Sequence, residues 1–159
     1  MIYVIFVVFL VIVIMIAILF DFLFQKVSNG FFESEKKNRI LERWLRNLQN
    51  GYKLADFFET NRLFNLSIYG YNELADLLFS ELEKCSKISI RYVLDETVDD
   101  GVFWYESCKL LGDGDVDLLF ESDAIIIADV MNGNDIREKL LCNYSGFVFL
   151  IEDLVRYVE

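Results

Sequence analysis

Within a chain of 159 residues, Gly70-Tyr71-Asn72-Glu73-Leu74-Ala75 has the types and spacing best suited to hold a phosphate. It aligns with G-x-G-x-x-G/A as Gly, Asn, Ala. Gly70 suits a tight turn between a strand and a helix, and Ala75 is a small residue for close helix–strand packing. A helix that begins here aims the amides of Tyr71, Asn72 and Glu73 at an anion. Asp95 follows Gly70 by 25 residues, in reach of a ribose hydroxyl. The expected cofactor-binding set is therefore Gly70, Tyr71, Asn72, Glu73, Ala75 and Asp95. Two of its members oppose the chemistry. The Asn72 side chain stands where a second glycine would let backbone approach a pyrophosphate, and Glu73 adds negative charge beside it.

Other chemistry is sparse. The chain has no histidine, which removes Ser-His-Asp and Cys-His nucleophiles and histidine-ligated metals. Tyr105 and Lys109 form a Y-x-x-x-K. It follows Gly70 by only 35 residues, on or just after a strand, so it lacks the later helix on which that pair ionises a tyrosine. Asp113, Asp115 and Asp117 alternate like the start of a calcium loop. Leu118 stands at the glycine position, however, and Ala124 where a bidentate Glu belongs. Cys85, Cys108 and Cys142 are widely spaced and odd in number, which fits reduced core thiols better than disulfides or zinc. No catalytic residue and no metal ligand is assigned, and independent enzymatic activity is not expected.

The elements that would position the candidate site follow from patterning. Met1 to Phe20 is an unbroken apolar run, and twenty helical residues span roughly 30 Å, the thickness of a bilayer's hydrocarbon core. It lacks the basic start and small-residue cleavage site of a signal peptide. A transmembrane anchor is expected over 1–24. Basic residues flank only its C-terminal side, which predicts a single-pass cell-membrane protein with its C-terminal domain in the cytoplasm. Asp21 to Gly30 reads as a connector ending in the turn signal Ser28-Asn29-Gly30. Glu33 to Gln49 and Leu54 to Thr60 read as amphipathic helices of a helical neck over 25–63. The first has a basic face that suits either anionic headgroups or solvent.

Charge divides along the same line. Through residue 46, six basic residues (Lys26, Lys36, Lys37, Arg39, Arg43, Arg46) face four acids (Asp21, Glu33, Glu35, Glu42), leaving +2. The net charge of the whole chain is −11, so the remainder carries −13. A domain this acidic has no basic face for nucleic acid.

From residue 64 onward, strands alternate with helices. Strands are expected at Leu66 to Tyr69, Ile88 to Leu94, Val102 to Tyr105, Asp123 to Ala128 and Phe147 to Leu150. Helices are expected at Asn72 to Lys84, Asp115 to Phe120 (capped by Asp115), Ile136 to Leu141 and Ile151 to Val158. Glu73, Asp76, Glu81, Glu83 and Lys84 are assigned to the solvent side of the first. This order predicts one α/β domain over 64–159, a parallel sheet of about five strands in the order 3-2-1-4-5 with helices on both faces.

A family resemblance rests on specific residues. They are Trp44-Leu45, Gln49-Asn50-Gly51-Tyr52-Lys53-Leu54-Ala55-Asp56-Phe57-Phe58, Ile68-Tyr69-Gly70-Tyr71-Asn72-Glu73-Leu74-Ala75, Glu81-Leu82, Leu94-Asp95 and Asp123-Ala124-Ile125-Ile126. Together they resemble a bacterial Rossmann-like domain that accompanies capsular and cell-surface polysaccharide biosynthesis proteins. That domain is similar to nucleoside-diphosphate-sugar epimerases and dehydratases, and its usual form carries I-Y-G-x-G-x-L-G. This chain departs at Asn72 and Ala75. The resemblance covers roughly Leu41 to Glu159. It implies NAD(P) or a nucleotide-sugar as ligand, and the membrane and polysaccharide-biosynthesis proteins as partners. The catalytic half of an epimerase has no counterpart, so that activity is not carried over. Two alternatives stand: an accessory nucleotide-binding module, or a membrane-tethered interaction scaffold whose nucleotide site has decayed.

Overall fold

A computed structural model describes residues 2–95, 103–105 and 108–157. Contacts divide the chain into two units, Met1–Lys36 and Lys37–Glu159. Helix α1 (Ile2–Gln49) contributes to both. In the first unit the described apolar side chains, Ile16, Phe20 and Phe24 among them, are exposed. Without a protein core against them, the segment is long and apolar enough to cross a membrane. The expected turn at Ser28-Asn29-Gly30 is helical instead. With no proline in the chain, a single interior Gly30 costs the helix only about 1 kcal/mol.

The end of α1 belongs to the second unit. It closes where Asn50-Gly51 predicts: Gly51 takes φ +84°, and Tyr52 N–H bonds back to the Asn47 carbonyl at 2.9 Å. Ile40, Trp44, and Leu54, Ala55 and Phe58 of α2 (Leu54–Thr60) are buried in the core, so residues 37–63 are built into the domain.

The sheet comprises β1 (Asn65–Tyr69), β2 (Ser89–Leu94), β3 (Phe103–Tyr105), β4 (Cys108–Leu111), β5 (Ala124–Ile127) and β6 (Phe147–Leu150). Their order is β3-β4-β2-β1-β5-β6. All neighbours are parallel except β3, which runs antiparallel to β4. The five parallel strands, counted along the chain, lie in the expected order 3-2-1-4-5. The third of them is a correction: it is Cys108–Leu111 rather than 102–105. Only residues 106 and 107 separate β3 from β4, too few for a parallel crossover, so the aromatic segment folds back as an edge strand.

From β1 the chain steps one way through α3 (Glu73–Leu82) to β2. From β5 it steps the other way through α4 (Gly133–Leu141) to β6. Right-handed crossovers in opposite directions put the two helices on opposite faces. One core holds Leu66, Ile68, Ile126, α3, α5 (Ile151–Tyr157) and the end of α1. The other holds Ile125, Ile127, α4 and a 3-10 segment, Asp113–Glu121. Both sides of β5 are thus covered, which accounts for its continuous Ala-Ile-Ile-Ile. This is a Rossmann-like α/β fold.

Two local expectations change. Asp115 lies at a kink inside the 3-10 segment (φ −108°, ψ 19°), which starts after Gly112 without a side-chain cap. Of the three thiols, Cys108 is buried, Cys85 half-buried and Cys142 exposed, so only the first is a core thiol. Cys142 follows the last turn of α4, beyond the face that Ile136 and Leu140 bury.

Candidate functional site

In an open parallel sheet, ligands lie beyond the strand C-termini where the order reverses, here between β1 and β5. Gly70 leaves β1 at φ +93°, a left-handed conformation that favours glycine. A Cβ on it would meet Asp129 N at 3.3 Å and the Ala128 carbonyl carbon at 3.8 Å, so the two strand ends approach closely. Its N–H donates to Leu94 O at 2.8 Å, which brings the residue before Asp95 against the turn. Asp95, half-buried at the end of β2, ties its own N–H to Leu111 O at 3.0 Å. Gly70, Asn72 and Asp95 therefore gather at one end of the sheet.

Asn72 decides what that end can do. Its backbone is extended (φ −156°, ψ −176°), so glycine is not needed here for conformation, only for room. The side chain caps α3: Oδ1 accepts from Leu74 N–H at 3.0 Å and Ala75 N–H at 3.3 Å. Its Nδ2 donates to Ala128 O at 3.0 Å, at the end of β5. One amide thus takes up two helix N-terminal donors and bridges the crevice. An Asn directly before an apolar-periodic run is an N-cap signal legible in sequence. The bond to Ala128, 56 residues on, is not.

The other members of the set turn elsewhere. Ala75 is fully buried in the core behind α3. Tyr71 is exposed between the turn and the cap. Glu73 points outward, with a 75% exposed side chain, and pairs with Lys37 Nζ at 3.3 Å. Its own backbone N–H, then Lys37, hold its carboxyl below the usual range. Asp129 is committed to its loop, where Oδ1 accepts from Met131 and Asn132 N–H, both at 2.8 Å.

Tyr105 and Lys109 fall on β3 and β4, two antiparallel strands, rather than on one helix. Among the described residues, no cluster of His, Cys, Asp or Glu could hold a metal. A cavity of about 410 Å³ opens beside α2 and α3, with Lys53, Glu59, Leu77 and Cys85 in its wall. None of the six candidate residues lines it. There the Cys85 thiol donates to Glu59 at 3.0 Å, and Lys87 holds the other carboxylate oxygen at 2.7 Å.

Fold and site define a Rossmann-like α/β domain that follows an apolar helix, its switch-point crevice bridged by an asparagine. Comparison with protein families, characterised proteins and solved structures finds no match to the chain.

Proposed function

We propose that this chain is a membrane-tethered interaction module on a Rossmann-like fold, with its nucleotide crevice closed by Asn72. The carrying observation is the three-way bonding of the Asn72 amide to Leu74, Ala75 and Ala128. A phosphate entering the seat must displace bonds worth about 0.5–1.5 kcal/mol each. The donors that a phosphate would use are thus already taken, and the Asn72 side chain occupies the room that a glycine would leave.

A second reading, an accessory module for NAD(P) or a nucleotide-sugar, draws support from the left-handed Gly70 and from Asp95 on the neighbouring strand end. Calorimetric titration of the full chain in mild detergent with NAD, NADP and nucleotide-sugars separates the two, run beside Asn72→Gly. The substitution restores G-x-G and costs the cap only a few tenths of a kcal/mol beyond the Ala128 bond. Binding gained only by Asn72→Gly is the expected result. Binding by the unaltered chain would sink the closed-crevice proposal.

Placement of the domain in the cytoplasm rests on the Lys and Arg residues that follow the apolar run. The exposed Cys142 makes this testable. An impermeant thiol reagent should leave it unlabelled in intact cells and label it after lysis. Labelling of intact cells would reverse the orientation. A partner among polysaccharide-assembly proteins rests on the sequence resemblance.

A further inference from the structure

The cavity beside α2 and α3 lies apart from the switch-point crevice. Its volume of about 410 Å³ suits one small molecule. Leu48 at the end of α1, Ala55 of α2 and Leu77 of α3 give it an apolar floor. The half-buried Cys85 lies in the same wall, and so do the exposed Lys53 and Lys84.

Which of these groups are already used decides what a ligand can offer them. Glu59 takes the Cys85 thiol and the Lys87 ammonium on separate oxygens. Glu81 takes the Trp44 indole N–H on one oxygen and the Leu54 N–H on the other. Neither Lys53 nor Lys84 has an ion pair among the described residues. Two uncommitted ammoniums therefore stand against one uncommitted wall acid, the exposed Asp56.

Charge sets the cavity apart from the rest of the domain. Beyond residue 46 the chain carries −13. Here Lys53, Lys84 and Lys87 match Asp56, Glu59 and Glu81, so an anion meets less repulsion than elsewhere on the surface.

We propose that this cavity binds a small amphipathic monocarboxylate, its alkyl chain on the Leu48, Ala55 and Leu77 floor and its head toward Lys53 and Lys84. The chain supplies most of the affinity. Each methylene taken out of water strengthens binding up to about fourfold. An exposed ion pair adds about fivefold at most. This site is independent of the crevice and of the function proposed above.

Cys85 reports occupancy of the cavity. The test uses the full chain in membrane vesicles with Cys142→Ser, the remaining Cys108 being buried. The rate at which N-ethylmaleimide labels Cys85 is followed against butyrate, hexanoate, octanoate and octanol. The acids should slow labelling, with a midpoint that falls about two- to fourfold per added methylene. Lys53→Gln with Lys84→Gln should weaken protection by octanoate about three- to fivefold and leave that by octanol unchanged. Both lysines are exposed, and Lys84→Gln alone repeats the comparison should the double variant melt early. In a Cys85→Ser chain, labelling of the exposed Cys142 should not respond to any of the four. Protection that ignores chain length, or that the lysine substitutions leave equal for octanoate, overturns the inference. So does a Cys85 that the reagent never reaches, since the cavity would then be closed to solutes.

Discussion

The indole N–H of Trp44 donates to a carboxylate oxygen of Glu81 at 2.6 Å, joining residues 37 positions apart. The other carboxylate oxygen accepts the N–H of Leu54, the first residue of α2 and an otherwise orphaned donor. Glu81 thus ties α1, α2 and α3 together, against the expectation that it faces solvent. A second tie, from Asn47 Nδ2 to Val155 O at 2.7 Å, fixes α1 to α5. Trp44 is only 1% exposed, so loss of its acceptor leaves a buried donor unmade. Glu81→Ala should destabilise the domain by about 2–4 kcal/mol, and Glu81→Gln, which keeps an acceptor, by roughly half. Urea unfolding followed by tryptophan fluorescence measures both. A loss below about 0.5 kcal/mol for Glu81→Ala would remove Glu81 from this role.

Because both cores draw only on residues from Ile40 onward, the chain from Ser34 should fold without the apolar segment. A soluble fragment beginning there is expected to melt cooperatively, with near-ultraviolet dichroism from fixed aromatic packing. A broad melt without that dichroism would show that the first unit is needed for folding.

Much of this architecture is legible in the sequence because its signals are local. Four consecutive apolar residues mark β5, and Leu74, Leu78 and Leu82 mark the buried face of α3. Alternation of strands and helices then leaves few topologies, and the parallel order follows. Signals that depend on distant residues are silent. Nothing near Glu81 announces Trp44, and nothing near Asn72 announces the Ala128 carbonyl. The Ser28-Asn29-Gly30 turn signal yields to helix on either side, since propensity is a weak prior. At β3 strand character is readable but direction is not, and β4 (Cys108–Leu111) has no strand reading in the sequence at all. Direction depends on the two residues between them.

Gly146 has a demanding neighbour. A Cβ there would fall 2.3 Å from Cζ and Oη of Tyr144. That ring cannot readily swing away. It is buried, stacks on Phe120 at 5.4 Å, and donates its hydroxyl to Ser122 O at 2.7 Å. Gly146→Ala should therefore cost about 1–3 kcal/mol through overpacking. Tyr144→Phe, which loses the hydroxyl bond and leaves the ring, should cost about 1. Thermal unfolding of the two variants would rank them, and an unchanged Gly146→Ala would mean that the ring has room to move.

The carboxylate of Asp123 sits at the start of β5, at the end of the sheet opposite the crevice. Its Oδ2 accepts from the backbone N–H of Asn65 at 2.8 Å and of Phe64 at 2.9 Å, and from Asn65 Nδ2 at 3.3 Å. The Asn65 N–H, then that of Phe64, hold its carboxyl below the usual range, against partial desolvation. With the folded value depressed, the unfolded chain takes up the proton first. The stabilisation is complete above the unfolded pKa, about 3.9 for an aspartate, and is lost as pH falls through the lower folded value. Asp123→Asn keeps the shape without the charge. Its stability deficit should be constant from pH 8 to about 5 and shrink steadily below about 4. Urea unfolding of both proteins at closely spaced pH values gives that difference. A deficit that stays level down to pH 2.5 would show that the charge on Asp123, as distinct from its oxygen atoms, adds nothing to the start of β1.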